Sequence, residues 1–156
     1  MESSLRPQLG NFSSIVCFKS AIVGIEDALG AKTAAIALIA AGRSRGKQLA
    51  TDLSLKEAIG SLDEVASKLR FALGKDGTRL CIVEKIVQEN EVIKVYISES
   101  LCSAGEAQGS DRKCTYTLGA VWGAIEQILG RRLQGSHTES VLRGSTYDVF
   151  EFTALR

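Results

Sequence analysis

One histidine and four cysteines are the residues of this 156-residue chain best suited to chemistry. His137 lies in the stretch QGSHTES, where an imidazole could act as a general base. No Ser–His–Asp order and no nucleophile elbow surrounds it. The stretch reads instead as a strand segment with its polar groups exposed. Cys17, Cys81, Cys102 and Cys114 are scattered, none at C-x-x-C spacing. With a single histidine and no clustering, they form no structural zinc pattern. Scattered cysteines in a chain of balanced charge predict a reduced, cytoplasmic protein. Cys114 precedes an apolar helix, where a thiol can be activated by the helix N-terminus. A buried cysteine acting as a small hydrophobe is the simpler reading. The segment GRSRGK, residues 42–47, follows no strand and lacks Walker spacing, so it does not read as a phosphate loop.

The segment CTYTLGAVWGAIEQILGRRLQG, residues 114–135, carries a different signal. It reads as a helix opening near Cys114, closed by Arg131 and Arg132, whose charges suit the C-terminal end of the dipole. Gly119 and Gly123 lie four apart in its middle, around the single tryptophan, Trp122. Each interior glycine costs a helix about 1 kcal/mol relative to alanine. Something must therefore approach this face closely. The approaching group is either another helix backbone, or an apolar ligand or partner subunit given clearance. Trp122 itself reads more simply as core than as a binding platform.

The elements that position these residues follow from periodicity. From Ser13 or Ser14, the residues Ile15, Phe18, Ile22, Ile25 and Leu29 recur at three and four, an amphipathic helix ending at Gly30. The next stretch, AKTAAIALIAAGRSRGKQLA, is a helix apolar on most sides, with Gly42 and Gly46 four apart. Capping boxes are written at Ser54 with Glu57 and at Ser61 with Glu64. The second opens a helix through Val65, Leu69 and Leu73 that stops at Gly74. After the turn GKDGT, the segments RLCIVEKIV and EVIKVYISE predict a β-hairpin around QEN. In the second strand Ile93, Val95 and Ile97 alternate with Val92, Lys94, Tyr96 and Ser98, so one face is covered. A polar loop over 99–113 leads to the long helix. Two strands, RRLQGSHTESVL and YDVFEFTAL, then flank a turn at RGST. Helices, hairpin, helix and hairpin make an α+β domain, with the helices packed on one side of a small twisted antiparallel sheet.

Composition bounds the function. The formal net charge is +1, from 19 basic and 18 acidic residues, which gives neither a nucleic-acid surface nor a polybasic membrane anchor. The most apolar run, Thr33 to Gly42, is half of the roughly 20 residues a membrane span needs, so no transmembrane segment is expected. The N-terminus lacks the basic and apolar regions of a signal peptide. A single domain is expected over 1–156, with 1–11 poorly ordered and 12–155 forming the fold. The helical stretch FKSAIVGIEDALGAKTAAIALIAAG is apolar over more surface than a small sheet can cover, which predicts a homodimer.

The C-terminal half resembles a known superfamily, in a match that runs roughly over residues 12–155 and is specific in the last 40 or so. The stretch CTYTLGAVWGAIEQILGRRLQGSHTESVLRGSTYDVFEF is similar to the ending shared by vinyl-reductase domains and small subunits of the TRAPP vesicle-tethering complex. The likeness falls on Gly119, Gly123, Glu139, Gly144, Phe150 and Phe152, with Gly42 and Gly46 matching an earlier G-x-x-x-G segment. It implies a TRAPP-subunit-like fold, often dimeric, whose members bind hydrocarbon-like molecules in a helical channel or serve as assembly subunits. Metal-suspect members carry cysteines where this chain has Ser140 and Asp148, so no metal is expected. Some TRAPP subunits carry an acylated cysteine in a region that here reads ATDLSLKEAIG, so acylation at that point is not implied.

These readings converge on a non-catalytic binding domain for an apolar small molecule, such as a hydrocarbon, isoprenoid, acyl chain or tetrapyrrole-like compound, without a cofactor. The alternatives are a homodimeric assembly module with a collapsed channel, and a tetrapyrrole-related enzyme or accessory protein. A channel is expected beside the long helix. Leu118, Val121, Trp122 and Ile125 would form its inward stripe, with Ile36, Ile39 and Ala40 across the gap. Cys114 and Tyr116 would be the polar groups at its mouth.

Overall fold

A computed structural model describes residues 6–11, 14–55 and 61–155. Helix α1 spans Ile15–Leu29, α2 Ala31–Asp52 and α3 Leu62–Leu73. Strands β1 (Ile82–Glu89) and β2 (Val92–Ser98) form the first hairpin. Helix α4 covers Tyr116–Leu129, followed by β3 (Leu133–Glu139) and β4 (Asp148–Ala154). The four strands form one antiparallel sheet in the order β1-β2-β4-β3. The α+β architecture read from the sequence is the one observed.

Local chemistry explains most boundaries. Ser14 caps α1 by accepting a hydrogen bond from the Val16 amide at 3.1 Å. Gly30, at φ 82°, ends α1, and α2 begins at the next residue. Ser61 Oγ accepts from the Glu64 amide at 3.2 Å, as the second capping box requires. The first box lies partly outside the described residues, at Glu57; its Ser54 sits at φ 53°. The alternation in β2 is complete: Ile93, Val95 and Ile97 are buried and the residues between them are not. Helix α4 begins two residues later than expected, at Tyr116. The final hairpin is shorter than read, because Val141–Arg143 turns as a 3-10 helix between its strands. Residues ahead of α1 include a turn closed by the Gly10 amide donating to the Arg6 carbonyl at 2.9 Å.

The core runs between the sheet and the helices, with Phe150, Phe152, Val95, Ile97, Val121 and Ile125 almost fully buried. Its densest seam is α2 against α4. A Cβ added at Gly42 would lie 2.8 Å from the Ala120 amide nitrogen, and one at Gly46 2.8 Å from that of Ala124. From the other side, a Cβ at Gly119 would lie 3.1 Å from the Arg43 nitrogen, and one at Gly123 2.8 Å from the Arg43 Cα. Contacts climb both helices together, so α2 and α4 run parallel. The four glycines mesh, and the group that approaches the α4 glycine face is the backbone of α2.

The loop between β2 and α4 is fastened to α1. Lys19 Nζ donates to the Ala104 carbonyl at 2.6 Å and pairs with Glu106 at 3.0 Å. Arg112 bridges Glu106 and Glu26. The hydrogen bond from Lys19 is the largest cause holding the Glu106 carboxyl at about 2, well below the usual carboxylate range.

Candidate functional site

The mesh of glycines decides where a ligand could lie. Along the expected channel, α2 and α4 touch backbone to backbone, so the gap is closed there. Val121 and Ile125 are buried in the core. Trp122 is half-buried. Its Nε1 donates to the Leu133 carbonyl at 3.1 Å, and its ring lies 6.2 Å from that of Phe152. Ile36 is 74% exposed and Ala40 is exposed, so neither faces α4. The inward face of α2 is carried by Ala34, Leu38, Gly42, Gly46 and Leu49 instead.

Space opens at the N-terminal end of α4. A cavity of about 450 Å³ lies between α1, the C-terminal half of α2, the α3–β1 connection and Tyr116. Its apolar wall comes from Ile15, Phe18 and Ala21 on α1, with Leu73 and Leu80 opposite. Phe18 and Tyr116 meet edge to face, ring centroids 4.8 Å apart. Polar residues occupy part of the lining: Asn11, Ser14, Arg45, Thr78 and Tyr116. Burial pushes the Tyr116 phenol up, opposed by the charge of Arg45. Cys17 also lines the cavity, and it is a free, exposed cysteine.

Of the nine candidate residues, only Tyr116 borders this cavity. Ile39, Cys114 and Leu118 border a second one of about 410 Å³ beside His137. The periodic apolar residues of α1 already marked Ile15 and Phe18 as inward-facing. Nothing local marked Leu73, Leu80 and Arg45 as neighbours of that face, because three separate elements bring them there.

The cysteines depart from expectation. Cys102 and Cys114 are bonded as a disulfide, Cα to Cα 5.3 Å. The reduced state read from their scattered spacing is corrected: the loop over 99–113 folds back and brings Cys102 against the start of α4. Ser100 stands beside both sulfurs and donates to Thr117 Oγ1 at 3.1 Å.

His137 is likewise not exposed; its side chain is 6% accessible. Its Nδ1 accepts from the Cys114 amide at 3.4 Å, so Nε2 carries the proton and donates to Asp148 Oδ1 at 3.0 Å. Both ring nitrogens are engaged, and neither is left to take a proton from a substrate. Asp148 is buried, and its Oδ2 has no hydrogen-bond partner among the described residues. Burial first, and the charge of Asp148 second, push the neighbouring Cys81 thiol up to about 12.

Cys102, Cys114 and Asp148 present two sulfurs and a carboxylate oxygen within 4.8 Å of one another. As two thiolates and a carboxylate, that set would suit zinc. Joined as a disulfide, the sulfurs have no thiolate to offer. The expectation of no metal rested on Ser140 and Asp148 and did not anticipate this grouping.

No described helix is long and apolar enough to cross a membrane. No family model and no curated protein matches the chain. Solved structures do. The chain is similar to the phenol-responsive sensory domain of the transcription activator PoxR, crystallised with phenol, at a TM-score of 0.60 and 14% identity, over 92% of this chain and 76% of that one. It is also similar to trafficking protein particle complex subunit 3 from Naegleria fowleri, covalently bound to palmitic acid, at a TM-score of 0.62 and 12% identity, over 91% of this chain and 93% of that one. At these identities the likenesses speak to the fold, and the fold they show is TRAPP-subunit-like.

Proposed function

We propose that this protein is a non-catalytic binding domain that holds one small apolar molecule in the cavity between α1, the α3–β1 connection and Tyr116. The cavity carries the reading. It is concave, walled by apolar and aromatic side chains with a few polar groups, and its size falls in the range of ligand sites. The two structural neighbours support it, one crystallised with phenol and the other bound to palmitic acid. The engagement of both His137 nitrogens supports the non-catalytic side.

The test uses a neutral probe and a thiol already in place. Cys17 is exposed, whereas Cys81 is buried and Cys102 and Cys114 are bonded to each other. A maleimide should therefore modify Cys17 first under native conditions. N-phenyl-1-naphthylamine should bind saturably and slow that modification. Both effects should disappear in Ala21→Trp, which fills the cavity from an exposed position on α1. Probe binding and Cys17 protection that survive Ala21→Trp would place the ligand elsewhere.

A homodimer is proposed alongside, from a different observation. Ile25 and Leu29, four apart on α1, are 37% and 53% exposed, and Ile36 on α2 is 74% exposed. Uncovered apolar side chains of this kind mark interfaces. Sedimentation at micromolar concentration should give about twice the 16.7 kDa chain mass, and Leu29→Glu with Ile36→Glu should halve it. A single-chain mass for the unmodified protein would remove the dimer.

A further inference from the structure

We propose that the ligand of the α1–α3–Tyr116 cavity is a carboxylic acid, its apolar body held by Phe18, Leu73 and Leu80 and its carboxylate paired by Arg45. The inference rests on the cavity-binding reading above and adds the chemistry of the head group. Among the described residues lining the cavity, Arg45 is the one charged side chain, and there is no aspartate or glutamate. A cation in a concave site favours an anion, because clefts lined by one sign of charge focus the field on a bound ligand. A neutral ligand would gain nothing from that charge.

The guanidinium is free to turn to a ligand. Its ion pair to Asp52 spans 4.0 Å, between side chains 40% and 53% exposed. Such a pair is worth about 0–1 kcal/mol. Arg43, two residues earlier, behaves differently: it points to α4 and is taken by Glu126 at 2.6 Å. Two residues are about 200° of helix, so the arginines of GRSRGK serve opposite faces. The planar fork of Arg45 matches the two oxygens of a carboxylate. Tyr116, a phenol that is protonated at neutral pH, stands on the same lining and can donate a further hydrogen bond.

Aliphatic and aromatic acids share this head group, and the experiment separates them. Isothermal titration at constant ionic strength would compare decanoic acid with decan-1-ol, and 4-butylbenzoic acid with 4-butylbenzyl alcohol. Each ligand would be titrated into the unmodified protein and into Arg45→Gln. At least one acid should bind the unmodified protein tenfold or more tighter than its alcohol, and the tighter acid identifies the body. Arg45→Gln should lower that acid's affinity about tenfold, or about 1.4 kcal/mol, and leave the alcohol unchanged. Equal binding of acid and alcohol would overturn the carboxylate assignment while the cavity reading stands. A preference for acid that survives in Arg45→Gln would also overturn it. Absence of binding by all four compounds would overturn the cavity reading, and the assignment with it.

Discussion

Gly123→Leu is expected to remove about 3 kcal/mol or more of stability, the upper end of what overpacking costs. A Cβ at this position would lie 2.8 Å from the Arg43 Cα and closer still to the Arg43 carbonyl oxygen. Carbon contacts are favourable near 3.5–4.0 Å, so the helices would have to part. Backbone cannot swing aside as a side chain can. The seam is also shared, since Gly42, Gly46 and Gly119 mesh in the same way. Prising α2 from α4 at one glycine would loosen the contacts of all four. In a domain of this size the loss corresponds to a fall in thermal midpoint of about 6–12 °C. Gly24 supplies the control. It lies within α1, and no atom of the described residues stands within 4 Å of a Cβ placed on it. Gly24→Ala should raise stability by up to about 1 kcal/mol, through helix propensity alone. A midpoint unchanged in Gly123→Leu would mean the two helices do not meet there.

The glycines also show what could be read in the chain and what could not. Two pairs at spacing four announced close approach, because interior glycines weaken a helix unless something compensates. That the pairs face each other was not legible, since each helix displays only its own face and a hairpin and α3 intervene. The alternation of Ile93, Val95 and Ile97 placed β2 correctly, because a period of two has one structural meaning in a half-covered strand. The periodic residues of α1 were split by the structure. Ile22 is buried, while Ile25 and Leu29 at the same spacing face outward, because nothing in the described chain covers that end of the helix. Residues that owe their neighbours to loops were the hardest. Cys102 meets Cys114, and His137 meets Asp148, only after the 99–113 loop and the final hairpin have closed. The cavity likewise needs four elements in place before Arg45 and Phe18 share a wall.

Glu126→Ala should destabilise by about 2–4 kcal/mol, more than any exposed charge in the chain could. Glu126 is 4% exposed and stands in the last turns of α4. Its Oε1 takes Arg43 at 2.6 Å and has Lys47 at 4.0 Å. Its Oε2 accepts from the Leu133 amide at 2.8 Å, the first residue of β3. One carboxylate therefore joins α2, α4 and the sheet. Removing one partner of a buried ion pair costs about 3–5 kcal/mol when the other charge cannot escape. Arg43 can partly escape, since its side chain is 25% exposed, so the ionic share is smaller. The Leu133 amide cannot, and a buried donor without a partner costs about 1–3 kcal/mol. Glu126→Gln separates the two effects. It keeps an acceptor for the Leu133 amide and loses the charge and the hydrogen bond from Arg43, so it should cost about 1–2 kcal/mol. Trp122 reports locally, because Arg43 lies 4.6 Å over its ring and its Nε1 donates to the Leu133 carbonyl. In Glu126→Ala its emission should shift to the red below the melting transition, as the start of β3 loosens and water reaches the ring. Equal stability of Glu126→Ala and Glu126→Gln would assign the whole effect to the pairing with Arg43 and none to the anchoring of β3.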